Sequence, residues 1–306
     1  MGFARGWLLA GLTACSSNAV EPRVHVVLTL DWEGAYLSDG LPEIVALRRD
    51  YPDAAITHFV SAGYLTKTPP VDGVVNALRS VILPQDEIAT HVHVWTSLVR
   101  ASGIEPRTSP SFLTGTEKVV AFPDGDVGFD TDLDVYDVAE LRAILRTSRS
   151  KLEEVGFDLS RSFRAGGYLT SPKVLAAITA EGYRADSSMV DANVLGDETP
   201  AFATRLHELW PKATPRSQPS VLGSVVELPI GAVFDYGTVD AAIALVDDAV
   251  ASNQRDQIVV LAFHQETAGE FLPRVRELLA RITRDHKGTV DFLTIEKAAS
   301  LVGTGP

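Results

Sequence analysis

The sequence predicts an α/β protein, a distorted or open (β/α)7-8 barrel, and three observations predict it. Short β-rich runs alternate with helical stretches along the chain, the pattern of parallel strands joined through covering helices. The chain has 306 residues, 45% of them hydrophobic, enough for one sizeable core in a single barrel domain. The polar residues best suited to chemistry fall at or just past the ends of predicted strands, where barrels of this kind carry their sites.

The elements follow in order. Val24–Asp31 (VHVVLTLD) is a buried strand by its β-branched run. Pro42–Arg49 reads as a helix, Ala55–Ser61 as a strand, Val71–Val81 as a helix and Glu87–Trp95 (EIATHVHVW) as a strand. Ala101 to Asp134 is irregular, with Pro106, Pro110 and Pro123. It is too long for an ordinary connection and reads as a lid or binding loop. Asp137–Val155 is the clearest helix, because Asp137 and Glu140 form a capping box. Ser162–Gly166 is a strand and Pro172–Glu181 a helix. Tyr183–Ser188, Val225–Ile230 and Ile258–His264 are strands, with Leu206–Leu222 a second irregular stretch between the first two. Val239–Ala251 and Glu270–Asp285 are helices on either side of Ile258–His264, and Val290–Ile295 is a last short strand.

Composition excludes several classes of function. The formal net charge of −13 repels phosphate backbones, so no nucleic-acid partner is expected. No run of 18 apolar residues spans a membrane. Cys15 is the one cysteine, so no internal disulfide forms. Arg5 and the apolar stretch Gly6–Ala14 precede it, and Leu12-Thr13-Ala14-Cys15 looks like a bacterial lipobox. The expected division is a lipoprotein signal over 1–15 with Cys15 lipidated, a tether over 16–23 and a folded domain over 24–303. An exported protein follows, on the periplasmic face of the envelope or the cell surface, touching the membrane through its lipid alone. Serine after the cysteine resembles lipoproteins sorted to an outer membrane, for a Gram-negative source. No protein partner is predicted.

Asp31 and Glu33 flank Trp32 in TLDWEG. Two carboxylates two residues apart at a strand end point to one side, where one can bind a metal and the other act as a base. His91 and His93 also share a side of their strand, and paired imidazoles suit zinc, with cobalt, nickel or manganese as alternatives. His264 ends the apolar run IVVLAFH, placed for acid or base duty. Arg164 and Asp186 complete the set of strand-end polar residues. Trp95 and Trp210 are candidates to stack on a sugar ring. The acidic run Asp124 to Asp134 lacks the glycine and closing glutamate of an EF-hand loop.

In their order along the chain, TLDWEG, EIATH, SFRAGGY, GYRADSS, VELP and LAFHQE resemble the motifs of the polysaccharide deacetylase, or NodB-homology, family. The resemblance runs from about Val24 to Val302 and includes the HxHxW form of a lipopolysaccharide-associated branch. It implies the NodB-type barrel and metal-dependent hydrolysis of N-acetyl or O-acetyl groups on a polysaccharide. It assigns the metal to Glu33, His91 and His93, since Trp32 stands where the metal aspartate is usual and Trp95 where the second histidine is usual. Asp31 becomes the base, His264 the acid, and Arg164 the partner of Asp31. Asp186 is the candidate to tune His264 or to touch substrate. Two other readings stay open: a non-catalytic glycan- or metal-binding lipoprotein on the same scaffold, and a hydrolase of a non-glycan amide.

Overall fold

Strand β1, Val24–Trp32, is buried along its whole length. A strand without a solvent side needs protein on both faces, and this one has it. The computed structural model describes residues 23–33, 40–67, 73–117, 121–122, 124–195, 200–252 and 256–302. Cys15, with the expected signal and tether, lies outside the described residues. The further strands are β2 Ile56–Ser61, β3 Glu87–Val92, β4 Ser162–Ala165, β5 Ala185–Asp186, β6 Ser220–Leu222, β7 Val225–Glu227, β8 Ile230–Val233, β9 Gln257–His264 and β10 Val290–Phe292. They form one sheet in the order β6-β7-β5-β4-β3-β2-β1-β9-β8, with β10 beside the start of β1. The pairs are parallel apart from β6 with β7. A single bridge from Val190 to Ile230 links the segment after β5 to β8 at the other margin. The sheet is thus a curled, open barrel.

Alternation along the strands sorts the side chains into two cores. Val26, Leu28, Leu30 and Trp32 pack under the helices. Val27 joins Phe59, Ala89, Ala185, Ile230, Val260 and Ala262 inside the barrel. Because strand residues two apart share a face, Asp31 and Glu33 lie on the inner side with Val27, and His91 and His93 with Ala89. His264 follows Val260 and Ala262 to the same side. Arg164 lies between Phe163 and Ala165, which both belong to the outer core, so it too points inward.

The outer layer is amphipathic helix. Ala268–Asp285 buries Leu272, Val275, Leu279 and Ile282 at helical spacing, each worth about 1.5–3 kcal/mol on burial. The helix Val138–Glu154 starts on the expected capping box of Asp137 and Glu140. Among the described residues no helix is long and apolar enough to cross a membrane.

Three differences from the sequence reading have physical causes. Val225–Ile230 is two strands, since Pro229 lacks the N–H a ladder needs and the chain passes there from β5's side to β9's. Tyr183–Ser188 pairs only over Ala185–Asp186, because Ser187 and Ser188 turn to bind Arg164 and the Ala165 backbone. Pro200–Leu209, for which no element was expected before Leu206, is a helix burying Phe202 and Leu206. In the long segment after Ala101, a short helical turn at Leu133–Val135 and a bridge from Ser111 to Thr131 are the regular features among the described residues.

Candidate metal and catalytic site

Strand register assembles the site. Asp31 is level with His264 on β9, and His91 is level with Arg164 on β4. Glu33 and His93 stand one residue beyond β1 and β3, still on the inner face. The six inward polar residues named from the sequence therefore meet at one mouth of the barrel.

Glu33, His91 and His93 offer three ligand atoms within 4.8 Å of one another. The Glu33 Oε1 atom is 3.6 Å from Nε2 of His91 and 3.5 Å from Nε2 of His93. Each imidazole is held from behind. His91 Nδ1 donates to the Arg164 carbonyl at 3.0 Å, and His93 Nδ1 to the Phe129 carbonyl at 2.6 Å. A carbonyl only accepts, so the proton sits on Nδ1 and the Nε2 lone pair faces the cavity. Both Nε2 atoms are buried and make no hydrogen bond among the described residues. Two buried, unpartnered imidazole nitrogens beside a carboxylate suit a divalent cation, so the donor set fits the metal that the sequence reading expects. Burial opposes the charge on Glu33, yet His93, His264 and His91 together hold its carboxyl well below the usual range.

Beside this triad lies a buried ion pair. Arg164 NH1 donates to Asp31 Oδ1 at 2.6 Å and to Thr29 Oγ1 at 2.9 Å. Its other nitrogens bind the carbonyl and hydroxyl of Ser187, and its plane lies 4.2 Å over the Phe59 ring. Asp31 Oδ2 is left without a hydrogen bond among the described residues, 3.8 Å from His264 Nε2.

His264 Nδ1 is 2.9 Å from Asp235 Oδ2, and Thr267 donates its hydroxyl to the same carboxylate. Nε2 lies 3.1 Å from the Tyr168 phenol and 3.3 Å from Glu33 Oε1. Burial disfavours a charged imidazole, but the Tyr168 oxygen, Asp235 and Glu33 outweigh it and raise its pKa well above the ordinary value. Glu266 lines the same cavity. Burial and the nearby Glu33 push the pKa of its carboxyl well above the usual carboxylate range.

The partner of His264 is thus Asp235, not Asp186. Asp186 is level with Phe163, an outer-core residue, so it points away from the barrel interior. It is fully buried, level with Glu227, and burial raises its pKa to about 6. Trp95 is fully buried as well. Its indole donates to the Glu33 carbonyl at 3.0 Å, and Lys67 lies 3.8 Å over its ring, so it offers no face to a sugar. Trp210 is outside the cavity lining and donates instead to the Tyr168 carbonyl at 3.2 Å. Tyr168 has a left-handed backbone (φ 63°), a conformation costing about 1–3 kcal/mol in a residue with a side chain.

The cavity holds about 170 Å³. Phe112, Leu113 and Phe129 from the long segment after Ala101, together with Phe202, give it an apolar wall. Gly166 lets the strand end close on His93, since a Cβ there would stand 2.6 Å from the ring.

The chain shares this architecture over most of its length with a candidate polysaccharide deacetylase from Mycobacterium smegmatis (TM-score 0.57, 14% identity, 92% of this chain and 91% of that one). The fold is that of the polysaccharide deacetylases. The chitin deacetylase of the fungus Colletotrichum lindemuthianum has it too (TM-score 0.50, 9% identity, 94% and 90% covered). So does an allantoinase, PuuE (TM-score 0.52, 11% identity, 96% and 97% covered), so the fold alone does not choose the substrate. No protein-family model matches the sequence, and no curated protein is similar to it in sequence.

Proposed function

We propose that the chain is a metal-dependent deacetylase, hydrolysing N-acetyl or O-acetyl groups of a cell-envelope or extracellular polysaccharide. One observation carries the reading. A metal-ready triad with two unpartnered imidazole nitrogens lies against both a carboxylate pinned by arginine and a histidine held by an aspartate. That is a base, an acid and a Lewis-acid position in one cavity.

Glu33, His91 and His93 would hold the ion, with zinc the first choice for this donor set. When bound, a divalent ion polarises the acyl carbonyl and makes a water acidic enough to attack at neutral pH. Arg164 fixes one oxygen of Asp31 and leaves Oδ2 to take the proton of that water. His264, braced at Nδ1 by Asp235, gives its Nε2 proton to the leaving nitrogen or oxygen. The apolar wall of Phe112, Phe129 and Phe202 keeps bulk water from the reacting carbon. A cavity of about 170 Å³ is below the ~300–1,000 Å³ of a site that encloses a whole small molecule. It suits an acetyl group whose carrier stays outside, as a glycan would.

We also propose that Cys15 carries a lipid that anchors the chain at the envelope. Growth with labelled fatty acid should mark the wild type and leave Cys15→Ala unlabelled.

The main test is metal content and acetate release. Purified protein should hold about one divalent ion per chain and lose it on His91→Ala or His93→Ala. It should release acetate from one of chitooligosaccharides, peptidoglycan or acetylated xylan, and Asp31→Asn should abolish that release. A chain that binds no divalent metal, or an Asp31→Asn variant as active as wild type, ends the proposal.

A further inference from the structure

Among the described residues, Tyr168 is the one position other than glycine with a left-handed backbone. A bulky residue adopts that conformation only where its surroundings impose it. Here they do. The Trp210 indole holds the Tyr168 carbonyl. The preceding Gly167 is also left-handed, and a Cβ there would stand 2.7 Å from the Phe112 ring. The turn brings the phenol oxygen to 3.1 Å from Nε2 of His264, inside the cavity that Asp31 and Glu33 share. A tyrosine that only filled the core would need none of this.

We propose that Tyr168 is a catalytic residue whose phenol hydroxyl donates a hydrogen bond to the acyl oxygen as it becomes an oxyanion. The inference rests on the deacetylase reading above. In the acid role given to it above, His264 carries its transferable proton on Nε2, and Nδ1 faces Asp235 at 2.9 Å. Nε2 meets the phenol oxygen, which accepts. The phenol O–H is then left to donate into the cavity. Burial keeps the phenol protonated: the nearby charge of His264 pulls its pKa down, but burial together with Asp31 and Asp235 raises it well above the usual value.

The atoms balance without a new reactant. The water oxygen bonds to the carbonyl carbon, and the water proton passes to Asp31. The C=O π pair moves onto the acyl oxygen, which Tyr168 stabilises. On collapse the C=O bond reforms, the bond to the leaving nitrogen or oxygen breaks, and that atom takes the Nε2 proton of His264. Tyr168 is a neutral donor throughout.

The test is Tyr168→Phe, which keeps the ring and its packing and deletes the hydroxyl alone. Removing one oxyanion donor lowers kcat about 10²–10³-fold, and with it kcat/KM, while KM stays within about threefold. Metal content and melting temperature stay at wild-type values. A phosphonate mimic of the tetrahedral state should lose affinity by a comparable factor, while acetate binding is unchanged. A metal-loaded Tyr168→Phe enzyme with kcat within about threefold of wild type overturns the proposal, as does an equal loss of phosphonate and acetate affinity. Asp31→Asn separates the two claims. If wild type is active, Asp31→Asn inactive and Tyr168→Phe unimpaired, only the role of Tyr168 fails. If wild type releases no acetate from any acetylated substrate, the deacetylase reading fails and takes this proposal with it.

Discussion

The sheet carries two buried histidine–aspartate pairs on opposite faces, and their proton affinities are shifted in opposite directions. Inside the barrel, His264 meets Asp235 and its pKa is raised. Under the helices, His58 meets Asp86 at 3.4 Å and its pKa is lowered. The carboxylate is common to both pairs, so it does not set the direction. Burial weighs most on His58, and Asp86 is already matched by the two bonds it accepts from Arg48 NH2, at 2.8 and 2.9 Å. The Trp32 indole donates to His58 Nδ1 at 3.2 Å, which requires an unprotonated nitrogen there. The second nitrogen of His264 faces the opposite environment, the oxygens of Tyr168, Glu33 and Asp31. The partner of the other ring nitrogen decides whether a buried histidine is a neutral strut or a charged acid.

If this contrast is right, the inner network governs rate and the outer one governs stability. The largest effect is on rate. Asp31→Asn should lower kcat by about 10²–10⁴-fold, measured as acetate release from a chain that still melts cooperatively. Next is Asp86→Ala, which leaves the Arg48 guanidinium buried without its counter-charge. It should cost about 3–5 kcal/mol in urea denaturation, while the molecules that remain folded keep wild-type kcat. A large fall in kcat there would break the contrast.

Asp235→Asn comes third. It removes a carboxylate that raises the pKa of His264, so the charged acid is lost at lower pH. The alkaline limb of kcat/KM should move to lower pH, with a loss of about 10–100-fold at neutral pH. The smallest effect is on the pH dependence of stability. His264, with its raised pKa, contributes stability fully present below about pH 6.5 and lost as pH rises through the folded pKa. His58, with its lowered pKa, contributes stability present above about pH 6.5 and lost as pH falls through the folded pKa. Urea midpoints of His58→Gln should therefore fall less than those of wild type on acidification below pH 6.5. Equal acid sensitivity would remove His58 from the account.

Much of this was legible in the sequence because two simple periodicities carry it. Period two along β1, β3 and β9 predicts that Asp31, Glu33, His91, His93 and His264 face one way, and the strand-end rule brings them and Arg164 to one mouth. What escaped depended on register or on loops. Asp186 stands at a strand end as the others do, but its level with Phe163 turns it outward. Asp235 obeys the same rule two residues past β8, and was hidden because the expected strand stops at Ile230, where β8 begins. Glu266 lies in the quoted LAFHQE, with nothing local to mark it. Tyr168 and the Phe129 carbonyl gave no sign, since a left-handed turn and a loop acceptor are set by distant contacts. The long segment after Ala101 lines the cavity with Phe112, Leu113 and Phe129.

The backbone carbonyls behind the two metal-facing imidazoles imply an order of assembly. His93 waits for a carbonyl 36 residues downstream, and His91 for one 73 residues downstream. Asp31 and His264 sit on neighbouring strands at the two ends of the domain. As a ribosome delivers the chain, both imidazoles acquire their carbonyl acceptors once Arg164 has been made. Asp235 and His264 follow Arg164 by 71 and 100 residues. On the proposed reading, the three residues that would hold the ion and both of their carbonyl braces are made before the acid histidine, so the two halves of the site arrive separately along the chain.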